Sequence, residues 1–211
     1  MFKHTKNCTI FTNKKDMRKI TLLFGLVIAM LFAFKPEKNT IYTVDTNKSL
    51  VTWIGRKVTG QHTGNIKIAS GKLVAKGNLL KSGNFNIDMN TMTCSDLTGE
   101  YMDKLLGHLR SEDFFGVEKN PVTKFDITKI AYTTPKNANI TGNLTIKGIT
   151  NSITFPANMS VKGKTFTAEA KKVIIDRTKF DIRYGSKSFF NLGDKAIDND
   201  FELSIKLVAS K

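Results

Sequence analysis

The chain is predicted to be all-β, an antiparallel barrel of about eight strands with one short covering helix. Three observations predict it. From Ile41 onward apolar and polar residues alternate in run after run. Gly, Asn and Lys turn signals separate the runs, and a single stretch, Ser95 to Phe125, has helical spacing instead. Strands with one wet side and short turns belong to antiparallel sheets, since parallel sheets are covered on both faces by helices. A barrel is favoured over a sandwich.

The first element is a leader. Lys14, Lys15, Arg18 and Lys19 precede the apolar run from Ile20 to Phe34. At fifteen residues this run is shorter than the roughly 20 needed to span a bilayer as a helix, which favours an export signal. Residues 1–34 are therefore expected to be a signal peptide or, failing cleavage, an N-terminal anchor in the inner membrane. Residues 35–40 read as a linker and 41–211 as one barrel domain.

Within that domain Val51 and Trp53 alternate in SLVTWIG, and Phe85, Ile87 and Met89 alternate with Asn and Asp in NFNIDMN. Ile153, Phe155, Ala157, Met159 and Val161 are consecutive inward candidates, followed by Phe166, Ala168 and Ala170. Phe180, Ile182 and Tyr184 read as a further strand, and Phe201, Leu203, Ile205 and Leu207 as the last. The helix is expected over Leu97 to Leu109 with Asp96 as N-cap. Leu97, Tyr101, Leu105 and Leu109 form its apolar stripe, which Met102 and Leu106 widen, while Asp103, Lys104 and Arg110 face water. Phe114-Phe115, Gly116 and Pro121 return the chain to extended geometry. Two adjacent Phe cannot share one strand face, so one ring each of Phe114-Phe115 and Phe189-Phe190 needs a second apolar surface.

Composition excludes several function classes. Of a formal net charge of +15, residues 1–40 hold eight Lys/Arg against two acids, which leaves 25 against 16 and a net +9 for the rest. Those lysines are scattered along strands and turns, which reads as a solvated surface and not a nucleic-acid site. Cys94 has no partner if the leader carrying Cys8 is removed, so a disulfide framework is not expected and Cys94 reads as a small buried residue. His62 lies in the turn GQHTG and His108 in the last helical turn. No His-x-His or His-x-x-x-His pair, calcium loop or Gly-x-Ser-x-Gly elbow is present, so neither a metal site nor a catalytic set is expected.

The stretches SLVTWIGRKVTGQHTGNIKIASGKL, GNFNIDMNTM, LLGHLRSEDFFGVEKNPVTKF, TGNLTIKGITNSITF and IDRTKFDIRYG, in this order, resemble the YceI-like family of polyisoprenoid-binding periplasmic proteins. HLRSEDFFGVEKNPVTKF and GNLTIKGIT are the most specific, and the likeness runs over residues 41–209. It implies a lipocalin-like barrel, exported to the bacterial periplasm, whose apolar tunnel sequesters or carries an isoprenoid lipid, an isoprenoid quinone or a similar amphiphile. It implies no enzyme and no cofactor beyond that ligand. Trp53, Phe85, Ile87, Met89, Phe125, Leu144, Ile146, Phe155, Phe180 and Ile182 would line the tunnel, with Leu105, Leu109, Phe114 and Phe115 as its cover. His62, Asp176 and Arg177 are the head-group candidates. The partner implied is an amphiphilic lipid, with transient membrane contact and a homodimer as further options. Two other readings stay open. One is a lipid-modifying enzyme with His62 or His108 as base; the other is a structural envelope protein whose barrel is filled.

Overall fold

In the computed structural model, which describes residues 37–191 and 193–211, the alternating runs become strands and the strands close on themselves. The expected leader over 1–34 lies outside the described residues. In chain order the strands are β1 (Asn39–Val44), β2 (Leu50–Lys57), β3 (Gly60–Lys76) and β4 (Leu79–Asp88). The single α-helix among the described residues, α1 (Gly99–Arg110), follows. Then come β5 (Val122–Tyr132), β6 (Asn137–Ile146), β7 (Ile149–Lys162), β8 (Thr165–Asp176) and β9 (Ile197–Ser210). Strand β1 starts within the segment expected to be a linker.

Each strand from β2 to β9 pairs antiparallel with the next in sequence, and β9 pairs back onto β2 through Val51↔Ile205 and Trp53↔Leu203. That is a closed ring of eight positions. Strand β1 does not add a ninth. It occupies the same slot as β2, pairing with the far end of β3 and the last residues of β9. The break between them is the Asp45 turn, whose carboxylate accepts from the Asn47 and Lys48 amides. Buried Ser49 keeps the ladder satisfied across the break, because its Oγ accepts from Val208 N at 3.0 Å and donates to Val208 O at 3.2 Å. A closed ring has no exposed edge, and every backbone donor along it needs such a partner.

Local sequence explains the hairpins. Lys147-Gly148 joins β6 to β7 with both residues at positive φ, the geometry of a two-residue hairpin turn whose twist suits its flanking strands. Two other glycines lie under aromatic rings. A Cβ on Gly71 would come within 2.7 Å of the Phe85 ring, and one on Gly142 within 2.4 Å of the Phe125 ring. The two rings stack at 6.3 Å between centroids, so these glycines let the aromatic core lie flat against the wall.

The helix departs from expectation at its start. Thr98, not Asp96, takes the N-cap position, and Tyr101 is 76% exposed. Met102, Leu105, Leu106 and Leu109 make the inward stripe. Asp96 is withdrawn from capping because its carboxylate accepts from Thr63 N on β3 at 2.8 Å. Arg110 does not simply face water, since its guanidinium donates to the Met92 carbonyl at 2.8 Å and ties the helix end to the preceding loop.

The strand expected over Phe180–Tyr184 is also absent. Arg177–Phe180 is a 3-10 turn, capped by Asp176, whose carboxylate accepts from Thr178 N and Oγ1. Asp181 follows with φ 58°. The cause is Arg177, only 2% exposed, whose guanidinium donates to the carbonyls of Ile182, Ile197 and Asp198 at 2.8, 3.2 and 3.0 Å. Those acceptors are thereby taken by a side chain, and the segment folds under instead of pairing. Burial lowers the Arg177 pKa, and the carboxylates of Asp176 and Asp198 oppose that shift.

Substituting Gly142→Ala is expected to destabilise the barrel by about 1–3 kcal/mol, the usual cost of overpacking a tight core, because the Phe125 ring must move off the wall. Gly148→Asn, at a turn with nothing near the added Cβ, should cost well under half of that in the same thermal or denaturant melt.

Candidate functional site: an apolar interior in two chambers

Among the described residues, two cavities lie inside the ring. The first, about 300 Å³, lies where α1 and the Phe114-Phe115 turn meet the strands. The second, about 120 Å³, lies further along the barrel. Both are bounded by Val51, Ile87, Leu144, Ile175 and Leu203, so they sit on two sides of one ring of aliphatic side chains. A closed eight-strand barrel is just wide enough either to be filled or to hold one small ligand, and here it is not filled.

The chambers differ in chemistry. Apart from Glu169, the second is lined by apolar side chains, including Phe85, Phe125 and Phe155. The first is apolar over most of its wall through Trp53, Ile87, Met89, Leu105, Leu109, Phe114, Phe115, Leu144 and Ile146, but also carries Arg56, Lys57, His62, His108, Thr123, Arg177, Asp198 and Asp200. The interior is therefore polar at one end only. Arg56 is held by Glu202 on β9 at 3.3 Å. Lys57 has no ion-pair partner among the described residues.

Twelve of the fourteen expected wall residues thus line one chamber or the other. Phe180 and Ile182 do not. They are fully buried in the turn that Arg177 organises, and they line neither chamber. Met89 reaches the wall from a 3-10 turn past the end of β4. Sequence reasoning missed Met92, Ile175 and Ile197 as wall residues. Ile197 keeps the alternation of β9 to the start of the strand, a signal that was present, whereas Ile175 does not follow from Phe166, Ala168 and Ala170, because the register shift between Ala170 and Val173 reverses the parity of β8 and leaves Ile174 46% exposed. Met92 lies in a loop where no periodicity operates.

Of the three head-group candidates, two reach the first chamber. Asp176 does not line it and instead caps its own turn. Arg177 lines it, with its guanidinium 5.3 Å from the Phe114 ring centroid and its nitrogens committed to three carbonyls. His62 lines it from β3, with Nδ1 2.8 Å from Asp96 Oδ2. Desolvation works to raise the Asp96 pKa, but hydrogen bonds from the Thr63 amide, His62 and Cys94 outweigh it and hold the group below the usual carboxylate range. Cys94 is accordingly half-buried and bonded through Sγ to Asp96.

His108 lines the same chamber edge-on to the rings of Tyr184 and Phe114, at 4.4 and 5.3 Å. Its Nε2 is buried without a hydrogen-bond partner among the described residues. The two Phe pairs part company. Phe114 is buried and Phe115 half-buried at the chamber wall, whereas Phe189 and Phe190 are 45% and 51% exposed.

A closed antiparallel barrel with an apolar interior and one polar end is the architecture of the small-ligand-binding barrels. The chain belongs to one family of them: its residues 42–209 match the YceI-like domain. A UPF0312 protein of Pseudomonas putida strain W619 is 42% identical over 57 residues, which is 27% of this chain and 30% of that protein. A UPF0312 protein of Pseudomonas aeruginosa strain LESB58 is 43% identical over 56 residues, 29% of its length. The matched stretch thus spans under a third of these relatives. Among solved structures, BcnA of Burkholderia cenocepacia superposes with a TM-score of 0.65 at 22% identity, over 79% of this chain and 99% of BcnA. A polyisoprenoid binding domain from Saccharophagus degradans gives 0.58 at 12% identity, over 80% and 97%. These likenesses establish a shared fold.

Phe115→Ala separates a cover from a plug. The ring is half-buried, so the variant is expected to lose less than the roughly 3–5 kcal/mol of a fully buried Phe. Uptake of an apolar fluorescent probe, measured well below the melting transition, should fall severalfold. An unchanged uptake would make the turn part of the core alone.

Proposed function

We propose that the barrel binds an isoprenoid lipid, an isoprenoid quinone or a similar amphiphile, and sequesters or carries it in the periplasm. The observation that carries the reading is the polarity difference along the interior, wholly apolar in the second chamber but for Glu169, with a set of charged and polar side chains joining the wall only in the first. A prenyl tail has no charge to compensate, so its affinity comes from apolar area removed from water, about 25 cal/mol per Å². Alternate residues of eight strand positions supply that area. The head group then lies among His62, Lys57 and Arg177.

The family to which the chain belongs and the polyisoprenoid binding domain it superposes on support the same ligand class. We read the protein as a binder without catalytic turnover, loaded by transient contact with a membrane. The first chamber, about 300 Å³, speaks against a barrel filled by its own side chains. His62 held by Asp96 is the arrangement a lipid-modifying enzyme would use as base, and turnover of the ligand is what separates that second reading from ours.

The test is organic extraction of protein purified from its native envelope, followed by mass spectrometry. A prenyl species is expected, unchanged after prolonged incubation with the protein. Recovery of no prenyl or acyl species, together with no uptake of added isoprenoid quinone, would overturn the reading. Chemical change of the ligand on incubation would replace the binder with an enzyme.

A further inference from the structure

The surroundings of His62 bear on the kind of head group the first chamber takes. His62 is directly opposite Gly55 across the β2–β3 pair, and both line the first chamber. Val51, Trp53 and Gly55 alternate along β2, so the side chain that Gly55 lacks would point inward with those of Val51 and Trp53. A Cβ there would meet nothing within 4 Å. The chain also shifts register against β9 between Gly55 and Lys57, which bends the wall at this point. An open niche therefore faces the imidazole.

The imidazole's hydrogen bonding is fixed on its other edge. Nδ1 lies 2.8 Å from Asp96 Oδ2, and Asp96 also accepts from the Thr63 amide at 2.8 Å and from Cys94 Sγ. An ionised carboxylate only accepts, so the ring hydrogen of neutral His62 is on Nδ1. Nε2 then carries a lone pair. It has no protein partner among the described residues, and the side chain is 29% exposed.

We propose that His62 Nε2 accepts a hydrogen bond from the ligand, so that the Gly55 niche selects isoprenoids with a protic head, an alcohol or a hydroquinone, over those ending in an ether or a quinone carbonyl. This rests on the lipid-binding reading. A quinone carbonyl can only accept, and two acceptors facing each other gain nothing. A ligand carbonyl can accept from Lys57, but Lys57 is exposed and hydrated, so that bond discriminates little.

Farnesol and farnesyl methyl ether share tail and oxygen, and the ether carries a methyl group in place of the hydroxyl proton. At about pH 8, above the usual imidazole range, the full-length protein should bind farnesol about five-fold more tightly than the ether, the worth of one ordinary hydrogen bond. In His62→Leu the ratio of the two affinities is expected to fall to about one, whatever happens to each separately. Gly55→Val adds a side chain where there is room, so it should fold normally, fill the niche and also lower the ratio. Equal binding of both probes by the unaltered protein overturns this inference alone, as does a preference that survives His62→Leu, which would be steric. Failure of both probes to bind overturns the lipid-binding reading with it.

Discussion

Closure of the strand ring is the constraint from which the rest follows. Once β9 pairs onto β2, the alternate side chains of eight strand positions are all committed to one interior, and none can be relieved by facing a second sheet. Interior width is then set by strand number, while its contents are set by sequence. Here the contents are large but not enough. Phe85, Phe125, Phe155 and Phe166 fill much of the second end, and the first end is left open beneath the helix. The same closure explains the chain's departures from regularity. Where the slot shared by β1 and β2 is broken, Ser49 substitutes for a ladder partner, and where β8 leads into β9, Arg177 gathers the loose carbonyls.

Arg177 shows how a residue typed as functional can be primarily architectural. A buried guanidinium is costly unless its donors are met, and all three nitrogens are met by backbone. It still contributes to the site, because its charge lies at the chamber wall and its face lies on Phe114. His62 and Asp96 divide their labour in a comparable way. Their contact staples the loop before α1 to β3, beside the Thr93–Asn65 and Ser95–Thr63 backbone bonds, and at the same time sets the tautomer of the ring that faces the chamber. Under the proposed reading stability and recognition share these side chains, so a ratio between two ligands separates the one effect from the other.

Much of the architecture was legible because alternation is a local signal. Val51 and Trp53, Phe85 and Ile87, and the β7 series from Phe155 to Met159 point inward as their spacing requires, and the family motifs placed Phe125, Leu144 and Ile146 on the same wall. The failures have a common physical cause. At Phe180–Tyr184 the alternation is genuine, yet Arg177 captures the carbonyls a strand would need, and that capture depends on residues about 20 positions away. Asp96 has the right type and place for an N-cap, but a distant strand claims its carboxylate. Tyr101 fits a four-residue spacing, but at about 100° per residue Met102, Leu105, Leu106 and Leu109 centre on a line about 90° round the helix from it, so it falls outside the buried stripe. The head-group end was least legible, since a missing side chain at Gly55 leaves no mark in a periodicity.

The central claim is that the two chambers act as one apolar path for a tail. Binding of isoprenoid alcohols of increasing chain length measures it most directly. Each added five-carbon unit that enters the interior removes enough apolar surface to be worth about 4 kcal/mol before ordering costs, so affinity should rise by at least about tenfold per unit until the second chamber is full. Filling the shared ring with Leu144→Trp should abolish the later increments and leave the first intact. An affinity that does not depend on tail length, or a Leu144→Trp series identical to that of the unaltered protein, would contradict the account.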